Sequence, residues 1–284
     1  DLHPPIRRQR QMCIRDSSPA YDDIIQARSG MAALNADADG APQFVRSVLC
    51  DKVVGLHLAM SVSAALVHRE RTGEGQSIEV PMLETMAGFI LAEHLAGRTM
   101  TPSQGDIGYQ RLMSNHRRPF ETADGYMAIM PYSTNQWIRF LELVGETSLA
   151  GEAWVSNGAE RSNRIDELYE LIAQVAVRRT TAQWLEELGR IDVPCAVVNE
   201  LSQVLADPQL SKTGLLGTFD NHDVGDLHYL KPAFLSDEGI GAKPRRAPHL
   251  GEHSRDILGQ LGLTDSEIQR LIDQRVIGEH RADC

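Results

Sequence analysis

Residues 51–97, DKVVGLHLAMSVSAALVHRERTGEGQSIEVPMLETMAGFILAEHLAG, decide how this chain reads. From about Asp51 to Glu70 the stretch is apolar on nearly every side (Val53, Val54, Leu56, Leu58, Met60, Val62, Leu66), which predicts a buried helix. RTGEGQ then supplies Gly73 to close the helix and Gly75 to turn the chain, and Ser77–Val80 has the composition of a short strand. A further helix is predicted from Met82 to Gly97. Helix, turn, strand and helix in sequence point to an α/β class.

Upstream, Ser18 reads as an N-cap, Pro19 as the first helical residue, and Asp22 and Asp23 as acids at the positive end of a helix dipole. Tyr21, Ile24, Ile25 and Arg28 keep helical spacing and Gly30 ends the turn. The first seventeen residues, DLHPPIRRQRQMCIRDS, carry four arginines without helical or strand period and read as a foreign leader or scar. Downstream, residues 98–118 lose periodicity and read as a linker. A hairpin is predicted over Phe120–Tyr132 around Ala123-Asp124-Gly125, followed by helices Gln136–Val144, Asn163–Arg178 and Thr181–Arg190. Val193–Val198 suggests a strand and Ser202–Asp207 a helix stopped by Pro208. Strand-like pieces follow Leu215, then the loop KPRRAPHLGEH and two closing helices. The last of these has Thr264 as cap and Glu267 three residues on, a capping box.

The 284 residues hold 28 Lys+Arg against 39 Asp+Glu, a net charge of −11. That balance argues against a nucleic-acid backbone or an anionic membrane surface as main partner. With 42% hydrophobic and 24% charged residues the composition is globular, ruling out collagen and a simple coiled coil. Cys13, Cys50, Cys195 and Cys284 lie far apart, which predicts a reducing, cytoplasmic setting rather than a disulfide scaffold. No HExxH motif, zinc-spaced cluster, GxxxxGK[ST] or GxGxxG loop occurs, so no metal is expected. The longest apolar run, Val53 to Val67, is interrupted by His57, Ser61 and Ser63 and falls short of a membrane span.

Asp51 stands where the apolar helix begins. Backbone N–H groups and the dipole favour its ionised form there, and a partly desolvated carboxylate can act as a nucleophile. Capping alone also explains an Asp at that position. Tyr21 reads either as a hydroxyl in a site or as a core aromatic with a wet tip. His57 reads as a satisfied core histidine. Arg245, Arg246, His249 and His253 form a basic cluster that suits either an anion or a solvated loop. Cys50 and Cys195 have no basic neighbour in sequence to activate them.

Five segments in order, PAYDDIIQARSG (19–30), the Asp51-centred stretch (51–80), TADGY (122–126), VPCAVVNELSQVLADPQL (193–210) and RAPHLGEHSRDILGQLGL (246–263), resemble the class III CoA-transferases. This is the family of formyl-CoA transferase and the carnitine CoA-transferase. The resemblance runs from Ser18 to about Ile277 and includes the family's thirty-residue step from Tyr21 to Asp51. It implies a large Rossmann-like α/β domain built from both ends of the chain, a smaller α+β middle domain, and a homodimer of interlocked rings. On this chain the implied domains are a leader at 1–17, a large-domain segment at 18–97, a linker at 98–118, a small domain at 119–200 and a return to the large domain at 201–284.

The resemblance further implies transfer of CoA from an acyl-CoA donor to a free carboxylic acid, with the CoA thioester as substrate and no permanently bound cofactor. The family's catalytic aspartate falls on Asp51, its site tyrosine on Tyr21 and a site methionine on Met82. The family's opening strand and helix are expected upstream of Ser18, so the chain reads as N-terminally truncated. The middle stretch SNHRRPFETADGY lacks the glycine-rich loop of the formyl-CoA transferases, which counts against oxalate or formate as substrate. Two rivals stand beside the transferase. One is an acyl-CoA racemase of the same family, for which a histidine is expected where this chain has Tyr21. The other is a truncated, catalytically silent chain.

Overall fold

In the computed structural model, residues 19–37, 39–221, 224–231 and 246–280 are described. Residues 1–18, Arg245 and Cys284 lie outside them, and with them the readings of 1–17 as a leader, of Ser18 as a cap and of Cys13. The chain divides into two units, Asp1–Val198 and Asn199–Cys284.

The first unit opens with α1 (Asp22–Ser29), which starts on two acids and ends at Gly30, whose φ of +92° favours glycine. A short α2 (Met31–Leu34) follows, then the 24-residue α3 (Leu49–Thr72). Gly73, at φ +77°, ends α3 and donates its N–H to the Arg69 carbonyl at 2.8 Å, as the RTGEGQ stretch predicts. Helix α4 (Met82–His94) stops three residues short of the expected Gly97, in a 3-10 turn at Ala96–Thr99. Ile25, Cys50, Val53, Val54, Met82 and Met86 pack these helices into one apolar cluster.

Two expectations fail here. Helix α3 is not buried: only Cys50, Val53 and Val54 in its first turns are covered, while Leu56 is 72% and Met60 63% exposed. Composition records that a helix is apolar, but not how much of its length finds a neighbour, and α3 meets α1 and α4 near its N-terminus. Ser77–Val80 forms no strand among the described residues, because an extended segment becomes a strand only where another pairs with it. The membrane reading also changes. Helix α3 is long and apolar enough to cross a bilayer by length and composition. Two of the three polar residues that interrupt the run are absorbed by the helix itself: His57 Nδ1 lies 2.9 Å from the Val53 carbonyl, and Ser63 Oγ donates to the Ala59 carbonyl at 2.8 Å. One such helix is weak ground for a membrane, and its first turns belong to the packed cluster.

A second cluster in the same unit begins after the short α5 (Gln110–Met113), which interrupts the expected linker. Strands β1 (Phe120–Glu121) and β2 (Tyr126–Ile129) form the predicted hairpin, with Phe120 opposite Met127. Met127 and Ile129 point inward and Tyr126 and Ala128 outward, the period-two alternation of a half-buried strand. Asp124 of TADGY accepts from the Thr181 N–H (2.7 Å), the Thr181 hydroxyl (2.6 Å) and the Thr122 hydroxyl (3.2 Å). These bonds hold its carboxyl below the usual range.

Helix α6 (Thr134–Leu143) carries a Ser133/Gln136 capping box. The short helices α7 (Thr147–Ala150), α8 (Ala153–Ser156) and α9 (Gly158–Asn163) lead into α10 (Ile165–Ala176). Helix α10 is the helix predicted over Asn163–Arg178, two residues shorter at each end, with Arg164 at φ −110° and ψ 23° separating it from α9. Helix α11 (Thr181–Arg190) has the predicted bounds and a Thr180/Gln183 capping box. Strand β3 (Cys195–Val197) runs antiparallel to β2, with Ile129 opposite Cys195, giving the order β1-β2-β3. Trp137, Phe140, Leu168, Ile172, Trp184 and Met127 form the centre of this core. The Trp184 indole N–H is satisfied by the Ala176 carbonyl at 2.8 Å.

The second unit begins with α12 (Leu201–Val204) and α13 (Pro208–Thr213). Helix α12 ends at Val204, short of the predicted Asp207, and Pro208 starts a helix rather than stopping one: it takes the first position of α13 beneath an Asp207 cap. Strands β4 (Leu216–Phe219) and β5 (Leu227–Leu230) pair antiparallel, with Gly217 opposite Tyr229. A Cβ at Gly217 would stand 2.3 Å from the Tyr229 ring, so any other residue there requires that ring to move. Helices α14 (Ser254–Gln260) and α15 (Asp265–Asp273) close the unit, the latter with the predicted Thr264/Glu267 box. Every strand pairing among the described residues is antiparallel.

Candidate active site

Asp51 is the third residue of α3, not its cap. Val48 stands at the cap position and provides no side-chain acceptor. The capping is done from α1: Asp22 Oδ1 accepts the Asp51 backbone N–H at 3.1 Å. Asp22 is nearly buried, and its other oxygen accepts from Gln26 Nε2 at 2.6 Å. The fully buried Gln26 also accepts the Val45 N–H at 2.8 Å and donates weakly, at 3.4 Å, to the Val45 and Ser47 carbonyls. One carboxylate and one amide thus tie the start of α1, the 45–47 loop and the first turn of α3 together.

With the helix end capped by Asp22, the Asp51 side chain is left exposed. The sequence reading placed it at a desolvated position. Cys50, Val53 and Val54 take the covered face of that turn, so Asp51 falls on the open one. Tyr21 precedes Asp22 at the cap position of α1 and is 73% exposed, which overturns the core-aromatic reading. Met82, first residue of α4, is 1% exposed and packs in the cluster that holds Cys50 and Val53. The structure therefore joins the Tyr21 and Asp51 segments through Asp22 and places Met82 in the packing behind the same turn.

Sequence reasoning missed Asp22 and Gln26 as positioning residues. The signal was present: two hydrogen-bonding side chains four apart on the face of α1 that also carries Ile25. Cys50 is not poised as a nucleophile. Burial, then the Asp22, Asp51 and Asp23 carboxylates, push its thiol up to about 11. Burial likewise raises the Cys195 thiol. The basic loop of the second unit is answered internally: Arg246 makes two bonds to Glu252 (2.8 and 2.7 Å), and Glu252 also accepts the His249 N–H at 2.7 Å. Among the described residues no three His, Cys, Asp or Glu side chains gather as metal ligands would.

A mixed helix-and-strand fold with an exposed aspartate in the first turn of a long helix, braced by a second carboxylate from the preceding motif, narrows the class to one with an acid presented at a helix start. The chain belongs to CoA-transferase family III, whose family model matches residues 13–254. The succinate–glutarate CoA-transferase of Agrobacterium fabrum is 25% identical over 247 residues, covering 85% of this chain and 60% of that enzyme. The formyl-CoA:oxalate CoA-transferase of a Bradyrhizobium species is 24% identical, covering 93% of this chain and 67% of the relative. The chain thus spans about three fifths to two thirds of the length of these curated relatives. Its fold is also similar to that of a CAIB/BAIF family protein from Brucella suis, with a TM-score of 0.66, 24% identity, and coverage of 88% of this chain and 65% of that one.

Proposed function

We propose that this chain carries the nucleophile of an acyl-CoA:carboxylate CoA-transferase, with Asp51 as catalytic residue and Tyr21 and Met82 as substrate-site residues. The observation that carries the reading is the Asp22–Asp51 bond, which braces the Tyr21 segment against the turn that presents Asp51. The names of the relatives support the reaction class, and Asp51 is exposed, as a nucleophile must be.

In this reading the Asp51 carboxylate attacks the donor thioester carbonyl and the C–S bond breaks, giving an aspartyl–acyl anhydride and CoA thiolate. The thiolate attacks the aspartyl carbonyl, forming aspartyl-CoA and freeing the donor acid. The acceptor carboxylate then attacks aspartyl-CoA, and the released thiolate takes the new acyl group and restores Asp51. Splitting one exchange into steps with reactive leaving groups lowers each barrier.

The finer architecture belongs to the same proposal. Residues 18–97 and 201–284 serve a Rossmann-like large domain, 119–200 the small domain with 98–118 as linker, and the enzyme is a cytoplasmic homodimer. The apolar outer length of α3 is a surface that a second copy would cover.

Trapping tests the chemistry. Incubation with an acyl-CoA and hydroxylamine should convert Asp51 to a hydroxamate, read by peptide mapping, and Asp51→Asn should lower transfer about a thousandfold or more. An unmodified Asp51 peptide across a broad donor panel would sink the proposal. Complete absence of CoA binding by this chain would favour the silent reading. Exchange of the α-proton in deuterated water without any acceptor acid would favour the racemase.

A further inference from the structure

The first unit holds a second polar feature, on elements other than those that carry Asp51. Arg111 and Arg161 line one cleft of about 190 Å³ together with Tyr109, Tyr132, Trp137 and Ile165. Arg161 is 9% exposed. Its Nη1 donates to Thr134 Oγ1 (3.1 Å) and to the Val155 carbonyl, while its Nε and Nη2 have no acceptor among the described residues. Arg111 Nε donates to the Tyr169 hydroxyl at 3.0 Å and its Nη2 reaches only the Met130 sulfur at 3.5 Å. Its guanidinium sits over the Tyr132 ring, 4.8 Å from the centroid.

Neither arginine has a carboxylate partner among the described residues. Five other arginines of the unit do: Arg69 meets Glu70, Arg139 meets Asp192, Arg164 meets Glu167, Arg179 meets Glu187 and Arg190 meets Glu186, while Arg46, Arg71, Arg98, Arg117, Arg118 and Arg178 lie exposed to solvent. In a chain of net charge −11, two guanidiniums sharing a cleft without a counter-charge are an exception. Burying a guanidinium beside another is unfavourable unless an anion completes the site.

We propose that this cleft binds the carboxylate of a small organic acid. The two guanidiniums offer forked N–H donors matched to a planar carboxylate. Tyr109, Tyr132, Trp137 and Ile165 complete a lining whose exposed surface is mostly polar, so the body of the acid must be short. The volume suits a few carbon atoms and is too small for a nucleotide-sized ligand.

Butyrate is the probe, titrated into the 284-residue chain while the arginine Nε–H resonances are followed by NMR. Saturable shifts at Arg111 and Arg161 are expected, with butyramide inert and inorganic phosphate competing at most weakly. Arg111→Gln should weaken butyrate about tenfold or more while the chain stays folded, and Arg111→Lys should fall between. Arg161→Met should do the same. Should its lost bonds to Thr134 and Val155 prevent folding, Arg111→Gln carries the test. Asp51→Asn should leave butyrate affinity unchanged, which separates this cleft from the proposed reaction at Asp51. The assignment is overturned by unmoved arginine resonances into high millimolar butyrate, by unchanged binding in folded Arg111→Gln, by butyrate binding lost with Asp51, or by phosphate binding where butyrate does not.

Discussion

Deleting the Asp22 carboxylate leaves the Asp51 N–H without an acceptor and the Gln26 amide with only its 3.4 Å contacts to the Val45 and Ser47 carbonyls. Asp22→Ala is therefore expected to cost about 1–3 kcal/mol in urea unfolding. It should also speed amide exchange at Asp51 more than at Val53 or Val54, which lie deeper in α3. An unchanged Asp51 exchange rate would show that the bond does not brace the turn. Glu252 makes a pH prediction. Arg246 first, then the His249 N–H, lower its carboxyl from the ordinary 4.5 to about 2. A depressed carboxyl stabilises the fold fully above its unfolded value, and that contribution is lost as pH falls. Protection of the His249 amide should thus be level from neutral pH to about 4.5 and vanish as pH falls toward about 2. Glu252→Gln should remove the dependence and lower protection at neutral pH.

At the scale of elements, the helices of the second cluster and the outer length of α3 should answer substitution in opposite ways. Phe140 is fully buried and stacks with Trp184 at a centroid distance of 6.3 Å, so Phe140→Ala is expected to cost about 3–5 kcal/mol by denaturant titration. Leu56→Ala, at a residue 72% exposed, should change stability by less than about 0.5 kcal/mol while the chain is monomeric. A large concentration-dependent loss at Leu56 would instead report a partner on α3. Elements whose ends are set by neighbours in sequence were legible. The α11 bounds follow from Thr180 and Gln183, and the ends of α1 and α3 follow from Gly30 and Gly73. The strand expected at Ser77–Val80 was not, because its existence depends on a partner that local sequence does not name.

For the whole molecule, the proposed homodimer predicts sedimentation as a two-chain species. A Leu56→Glu/Met60→Glu double variant should sediment as a monomer at every concentration, because charges on a covered apolar face oppose association. Identical sedimentation of both proteins would remove α3 from the interface. The chain by itself determined the mixed helix-and-strand class, the glycine stops at Gly30 and Gly73, the Thr264/Glu267 capping box and the β1–β2 hairpin. All of these rest on interactions within a few residues or on ordered motifs. Only the tertiary structure decided that Asp22, 29 residues away, caps the Asp51 turn, and that Asp51 and Tyr21 lie open while Met82 is packed. It alone brought Arg111 and Arg161 into one cleft. A side chain's exposure and its distant partners depend on which faces meet after folding, and residue spacing along one helix cannot encode what packs against it.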